Sequence, residues 1–296
     1  MPEAAALVTV GIPTYNREQG LVRAVESVLA QTHVPIDLVI CDNASTDGTA
    51  QLCAELAARH PNIRYVRQDC NVGATGNFNR VFSEARGPYF MWLGDDDWID
   101  VGYVAACLAA LEADPSRALV AGTPVYHRAD EVVRHGVVMN LDASRPAERV
   151  GGYFSLVEEN GIFYGLARTE VLQKAMPLPN EMGGDWFVVA RLAFLGGICT
   201  LPTVAVHRAI GGATRSLRHV AESAGLGRFQ AAAPQLALAG LAARDIGWRS
   251  PVYAGLPAME RAALAARCSA TVTRRFLPEA VRKWVRMRSA ASHSGA

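Results

Sequence analysis

The chain lacks paired cysteines. Its six, Cys41, Cys53, Cys70, Cys107, Cys199 and Cys268, are scattered without one C-x-x-C, which argues against a zinc site or a disulfide framework and for a reducing cytosol. It also lacks an excess of either charge. Lys and Arg number 29 against 28 Asp and Glu, for a formal net charge of +1, so no global field draws it to nucleic acid or membrane. Long apolar runs are missing too: the longest uncharged stretch, Leu192 to Val206, is too short to span a bilayer and holds Gly196, Gly197 and Pro202. The opening MPEAAALVTV has an acidic residue where a signal peptide would be basic. These absences predict a soluble, cytoplasmic protein. What is present is enough for a full core, since half of the 296 residues are hydrophobic; at about 150 residues per domain, one or two domains are expected.

From the N-terminus, strand-length apolar runs alternate with helical patterns. Strands are predicted at Leu7 to Ile12, Ile36 to Cys41, Ile63 to Arg67 and Tyr89 to Leu93, with helices at about Glu18 to Gln31, Asp47 to Arg59 and Ala74 to Ala85. This alternation predicts βαβ units and a mostly parallel sheet. Further strand-length runs lie at about Ala118 to Tyr126, Gly161 to Ala167 and Ile198 to Val206, and Asp142 to Glu148 reads as a loop. Beyond about Arg215 the Ala-, Leu- and Arg-rich tail reads as helical.

In an open parallel sheet, ligands bind outside the carboxyl ends of the strands. Those ends read Pro13-Thr14-Tyr15-Asn16-Arg17, Cys41-Asp42-Asn43-Ala44-Ser45-Thr46-Asp47-Gly48, Asn71-Val72-Gly73 and Gly94-Asp95-Asp96-Asp97. Carboxylates gathered on one rim beside helix-start N–H groups suit a metal-bound diphosphate. Asp47 is equally explained as helix capping and Asn43 as turn chemistry. Three adjacent aspartates followed by Trp98 point to a pocket wall. GATGNFN, Gly73 to Asn79, is not a nicotinamide fingerprint: Asn79 stands at the third glycine and the loop follows the third strand.

The stretches VTVGIPTYNR, LVICDNASTDGT, NVGATGNFNRVFSEARGPYFMWLGDDDW and GGDWFVVARLAFLGG resemble family 2 glycosyltransferases of the GT-A fold. The resemblance runs from about Val8 to Thr214. It implies a single α/β domain over 1–214, with a nucleotide-sugar half to about residue 100 and an acceptor half beyond, and a helical extension over 215–296. It also implies that Pro13, Tyr15 and Arg17 line the nucleoside, that Asp42 accepts from the base's imide N–H, and that Asn77 lies in the donor site. Asp95 to Asp97 would form the D-x-D element, with Asp95 or Asp96 at the ribose and diphosphate and Asp97 binding Mg²⁺ or Mn²⁺. A cation there would relieve the repulsion among the three carboxylates.

The departures are specific. Many relatives carry Ala-Arg-Asn where this chain has Thr75-Gly76-Asn77, which removes an arginine that Arg80 could replace. Many end the acceptor motif in Glu-Asp, whereas Gly184 precedes Asp185 here. Asp185 is left as the single candidate base; the helix it opens favours its ionised form, and helix capping is its other reading. Trp186, with Trp98, could stack on an acceptor ring, and Gly183-Gly184 would leave it room. Ile210 stands where a metal or phosphate histidine often follows an arginine, which makes His207 the nearest candidate metal ligand; a solvent-facing strand end explains it as well.

The tail interleaves Arg274, Arg275, Arg282, Lys283, Arg286 and Arg288 with Phe276, Leu277, Val281, Trp284, Val285 and Met287. This reads either as a solvated basic helix face or as a peripheral contact with the inner face of an anionic membrane. The expectation is a metal-dependent, inverting hexosyltransferase using a UDP- or dTDP-sugar and a glycan, lipid-linked or small-molecule acceptor, with no nucleic-acid partner. A sugar-1-phosphate nucleotidyltransferase would need a glycine-rich basic loop after the first strand, and IPTYNREQG is not one. A non-catalytic nucleotide-sugar binder would need neither the aspartate cluster nor Asp185.

Overall fold

The first strand, β1 (Val8–Thr14), is buried along its whole length, as a parallel strand covered on both faces must be. The chain then alternates as read: α1 (Glu18–Leu29), β2 (Ile36–Asp42), α2 (Thr49–Arg59), β3 (Ile63–Arg67), α3 (Gly73–Ser83) and β4 (Tyr89–Trp92). This computed structural model describes residues 5–33, 35–210, 227, 230 and 232–293, with side chains up to Arg275 in the last helix. Helix α1 turns Leu21, Ala24, Val25 and Val28 inward, the i, i+3, i+4, i+7 stripe of an amphipathic helix. Gly11 lets α3 approach β1 closely: a Cβ there would sit 2.1 Å from Val81 Cγ1 and 3.0 Å from the Phe90 ring.

The rest of the chain supplies β5 (Trp98–Ile99), α4 (Tyr103–Ala113), β6 (Arg117–Arg128), β7 (Glu131–His135), β8 (Asn140–Leu141), α5 (Pro146–Leu156), β9 (Leu166–Arg168), α6 (Thr169–Ala175), α7 (Gly184–Leu195), β10 (Gly197–Ala209), α8 (Pro234–Arg244) and α9 (Ala258–His293). Ten strands form one sheet, in the order β3-β2-β1-β4-β9-β6-β10-β5, with β7 on β6 and β8 on β10. Strands β1 to β4 are mutually parallel, and β10 is parallel to β6. Three-residue β9 is antiparallel to both β4 and β6, so the six main strands all point one way and their carboxyl ends share one edge. The sheet is mostly parallel, as the alternation predicts.

Two expectations need adjustment. The run Gly161 to Ala167 is not one strand: Gly161–Tyr164 is a 3₁₀ turn and only Leu166–Arg168 pairs. Every residue of that run is buried, and a short apolar run does not distinguish strand from helical turn. The loop read at Asp142 to Glu148 ends early, because Pro146 opens α5, where its missing N–H costs nothing.

The described part of the tail, from residue 232 on, is largely helical, as expected, and packs on α5 and α7. Leu238, Ala242, Leu264, Cys268 and Val272 belong to the same hydrophobic cluster as the sheet. Arg191 of α7 forms a buried pair with Asp245, just after α8, and Arg275 donates to the Phe154 and Val157 carbonyls at the end of α5. The expected domain limit at 214/215 and the side chains of Arg282, Lys283, Arg286 and Arg288 lie outside the described residues. Among the described residues, no helix is long and apolar enough to cross a membrane.

Candidate active site

The ends of β1 and β2 are stitched together before any ligand is considered. Asn16 and Ala44 take left-handed φ of 52° and 60°, bending each chain off its strand. Asn16 N–H then donates to Ser45 Oγ at 2.9 Å, Thr46 N–H to Asn16 Oδ1 at 2.8 Å and Arg17 N–H to Thr49 Oγ1 at 2.9 Å. Pro13 is buried in β1, and Tyr15 beyond it is 42% exposed.

Asp42 ends β2 fully buried. Its Oδ1 accepts from Ser45 N–H at 2.8 Å, its Oδ2 from the Tyr65 hydroxyl at 2.9 Å, and Arg67 Nη1 stands 3.9 Å from Oδ2. Asn77 is buried as well: its amide donates to the Cys41 and Thr14 carbonyls and accepts from Gln68. It pins the ends of β1 and β2 to α3. Arg80 is paired with Glu84 one turn on, while Arg17 reaches the aspartates.

The loop after β4 brings the three carboxylates to this rim, each in a different setting. Asp95 accepts from the Thr14 hydroxyl at 2.9 Å and lies 3.6 Å from Arg17 Nε; Asp96 lies 3.5 Å from Arg17 Nη2. Burial, with repulsion from Asp96, pushes the Asp95 carboxyl up to about 7, against the pull of Thr14 and Arg17. Asp97 is only 2% exposed. Its Oδ2 is 3.2 Å from Arg208 Nε, and its Oδ1 accepts from Ala209 N–H at 3.2 Å. Burial raises the Asp97 carboxyl above the ordinary range, and Arg208 opposes that shift.

Asp185 lies in the first turn of α7, beside the backbone N–H groups that favour its charge. Asn160 Nδ2 donates to its Oδ2 at 3.0 Å. Burial still pushes its carboxyl up, opposed by Asn160, the Trp186 N–H and Arg208. Gly183 has φ of 73°, and a Cβ on Gly184 would lie 2.2 Å from the Pro179 carbonyl oxygen. That contact would force the backbone around Pro179 and Gly184 to shift for any side chain at 184, which disfavours the Glu-Asp pair of many relatives here. Trp186 is buried in the core.

Tyr164 and Arg208 join the two halves. The Tyr164 hydroxyl is 3.4 Å from Arg208 Nη2, and Tyr164 is within electrostatic reach of Asp96, Asp97 and Asp185. Tyr164 is thus within electrostatic range of both the strand-end carboxylates and the helix-start carboxylate. His207 and Trp98 do not join them. They are cross-strand partners in the β10–β5 pair and stack 5.1 Å apart, on the face of β10 opposite Arg208, as strand alternation requires. His207 bonds Asp100 and His127, both at 2.9 Å, and the Arg23 guanidinium covers the Trp98 ring at 3.2 Å. Reading the sequence alone missed Arg208, Tyr164, Thr14 and Asn160; alternation along β10 was the one available signal, since it sets Arg208 and His207 on opposite faces.

The donor set on the rim is all carboxylate oxygen, which suits Mg²⁺ or Mn²⁺. Among the described residues no three His, Cys, Asp or Glu side chains converge on a metal position. A divalent cation on these carboxylates would have to complete its coordination from outside the described side chains.

The profile of glycosyl transferase family 2 matches residues 9–156, half of the chain. An uncharacterised protein of Mycobacterium tuberculosis is 30% identical over 207 residues, covering 66% of this chain and 56% of that protein. The chondroitin synthase of Escherichia coli is 38% identical over 114 residues, 38% of this chain and 16% of that protein. The chain thus spans about half the length of its mycobacterial relative. Among solved structures, the mannosyltransferase PcManGT of Pyrobaculum calidifontis, in complex with GDP-Man and Mn²⁺, has a TM-score of 0.58 at 18% identity, over 98% of this chain and 81% of that one. S. aureus TarS 1-349 gives 0.57 at 18% identity, over 92% and 84%, and 0.53 at 17% in its complex with UDP-GlcNAc, over 88% and 79%. The fold is that of the GT-A glycosyltransferases. A family match that begins inside β1 and continues through the acidic rim to the end of α5 places the chain in glycosyl transferase family 2, as an enzyme of the glycosyltransferase class.

Proposed function

We propose that this enzyme moves a sugar from a nucleotide-diphosphate sugar, UDP or dTDP favoured, to an acceptor hydroxyl by a single inverting displacement. The observation that carries the reading is that Tyr164 and Arg208 link the two acidic groups: Arg208 is bonded to Asp97 and within electrostatic range of Asp185, and Tyr164 is within range of Asp96, Asp97 and Asp185. One group of carboxylates lies on the donor rim of the sheet, and another stands apart on α7, where it can take a proton from an attacking hydroxyl. The fold shared with the UDP-GlcNAc complex of TarS and the GDP-Man–Mn²⁺ complex of PcManGT supports a nucleotide-sugar donor and a divalent cation.

In this reading Tyr15 and Pro13 line the nucleoside, and Asp42 accepts a base imide N–H through a remaining lone pair. Arg17, already at Asp95 and Asp96, meets the ribose and diphosphate. Asp97 holds Mg²⁺ or Mn²⁺, for which Arg208 must share or cede its carboxylate. When bound, such a cation supplies charge relief to the leaving diphosphate. Asp185 receives the acceptor proton, and the acceptor is a glycan, a lipid-linked sugar or a small molecule. Residues 1–214 form the transferase domain and the remainder a helical extension.

Thermal stabilisation by UDP-, dTDP-, GDP- and ADP-sugars with Mn²⁺ tests the donor side. UDP- or dTDP-sugars should stabilise most. ADP-sugars stabilising equally would contradict the role of Asp42, since adenine has no ring imide N–H.

A further inference from the structure

Asp185 is the end of a buried hydrogen-bond chain. Asn160, between α5 and the 3₁₀ turn, is buried; its Nδ2 donates to Asp185 Oδ2 at 3.0 Å, and its Oδ1 accepts from the Tyr153 hydroxyl at 2.9 Å. Tyr153, on the inner face of α5, is fully buried. An asparagine amide can face its partners either way round. With an acceptor-only carboxylate on one side, only the N–H end can turn toward Asp185. The Tyr153 hydroxyl donates from the other side and locks that orientation.

We propose that Asn160 is a positioning residue for the reaction: clamped by Tyr153, it fixes the Asp185 carboxylate and keeps it ionised, so that the remaining lone pairs can take the acceptor's proton. The proposal rests on the reading of Asp185 as the base. Its physical need is plain. Desolvation of this half-buried carboxyl favours its neutral form, and a protonated carboxyl cannot act as a base. In many relatives a second carboxylate precedes the base; here the Pro179 carbonyl fills that space. The amide of Asn160 contributes donation without a second negative charge.

The other groups facing Asp185 come from every element packed on it. Arg208 of β10 and the Trp186 N–H of α7 favour its charge, while Tyr153 of α5 and Tyr164 of the 3₁₀ turn bring their hydroxyls near it. Arg208 is shared with Asp97. Asn160 is the neutral side-chain donor bonded directly to the carboxylate.

The test is the titration of Asp185 itself, followed by ¹³C NMR in protein labelled at the aspartate carboxyl carbons, with the Asp185 signal identified by its loss in Asp185→Asn. Asn160→Leu, close in volume and without the donor, should move the midpoint upward by about 1–2 pH units, the worth of one hydrogen bond to a charged group. Tyr153→Phe keeps the packing and frees the amide to turn. It should shift the midpoint in the same direction by less, and it carries the test if Asn160→Leu does not fold. A purely structural asparagine would leave the titration where it is. An unmoved midpoint in folded Asn160→Leu or Tyr153→Phe would overturn the positioning role while leaving Asp185 as base. Undiminished sugar transfer by Asp185→Asn would instead remove the base assignment, and with it the catalytic sense of the chain.

Discussion

Arg208 and Asp97 are paired in the interior at the edge of the sheet, Nε to Oδ2 at 3.2 Å, and the next residue, Ala209, gives its N–H to the other carboxylate oxygen at 3.2 Å. The third of the adjacent aspartates is thus tied to the end of β10, a strand about a hundred residues further along the chain. Burial disfavours the Arg208 charge, and Tyr164 and Asp97 more than offset it.

Arg208→Gln should therefore leave a buried carboxylate without its counter-charge, a loss of about 3–5 kcal/mol. If Asp97 also binds the cation, Mn²⁺ should restore much of that loss, and on an Asp97→Asn background Arg208→Gln should bring neither the loss nor the recovery. Thermal unfolding with and without Mn²⁺ reads all of these. Recovery of Arg208→Gln that persists in the Arg208→Gln, Asp97→Asn double variant would take Asp97 out of the metal site.

The raised carboxyls carry a pH signature. Asp95, held at about 7 against an ordinary 3.8, binds a proton in the folded state over a range where the unfolded chain has lost it, so its contribution to stability is present below about pH 4 and is lost as pH rises through about 7. Asp97 and Asp185, also raised, act in the same direction. Without metal or donor, the unfolding temperature should fall between pH 4.5 and pH 8, after allowance for general acid effects. Asp95→Asn should flatten the slope. An identical slope in that variant would mean that Asp95 does not hold its proton.

Gly184→Ala should destabilise by about 1–3 kcal/mol, the usual cost of overpacking, because its Cβ would meet the Pro179 carbonyl oxygen at 2.2 Å. The urea midpoint measures this. An unchanged midpoint would show that the turn before α7 yields, and that a Glu-Asp pair is sterically open to this chain after all.

The first four strands, their helices and the acidic rim were legible because each is local: periodicity marks the elements, and the end of each strand names its own rim residues. What was not legible depends on contacts distant in the chain. Strand β9 is three residues long and is defined only by pairing with both β4 and β6. His207 looked like a ligand because it is the histidine nearest to Ile210, where the family's histidine often stands, yet the antiparallel pairing of β10 with β5 sets its ring against Trp98. Arg208 served in the sequence only as a marker for a missing histidine, and Asn160 stood between Glu159 and the run that starts at Gly161, with nothing to connect it to Asp185, 25 residues on.

Asp185→Asn separates an enzyme from a binder. Asparagine keeps a side-chain oxygen to accept from Asn160 and removes a buried charge, so the variant should fold and be at least as stable as the parent. Affinity for a UDP-sugar with Mn²⁺ should change little, because the donor rim at Asp95, Asp96 and Asp97 is untouched. Turnover should fall by about 10²–10⁴-fold, the worth of a positioned general base. With direct attack on the anomeric carbon, the product of the unaltered enzyme should show inverted configuration in its anomeric coupling constant. A folded variant that transfers sugar at the parental rate would refute Asp185 as base. A product of retained configuration would point instead to a covalent or front-face route, for which the second carboxylate would have to come from the Asp95 to Asp97 cluster.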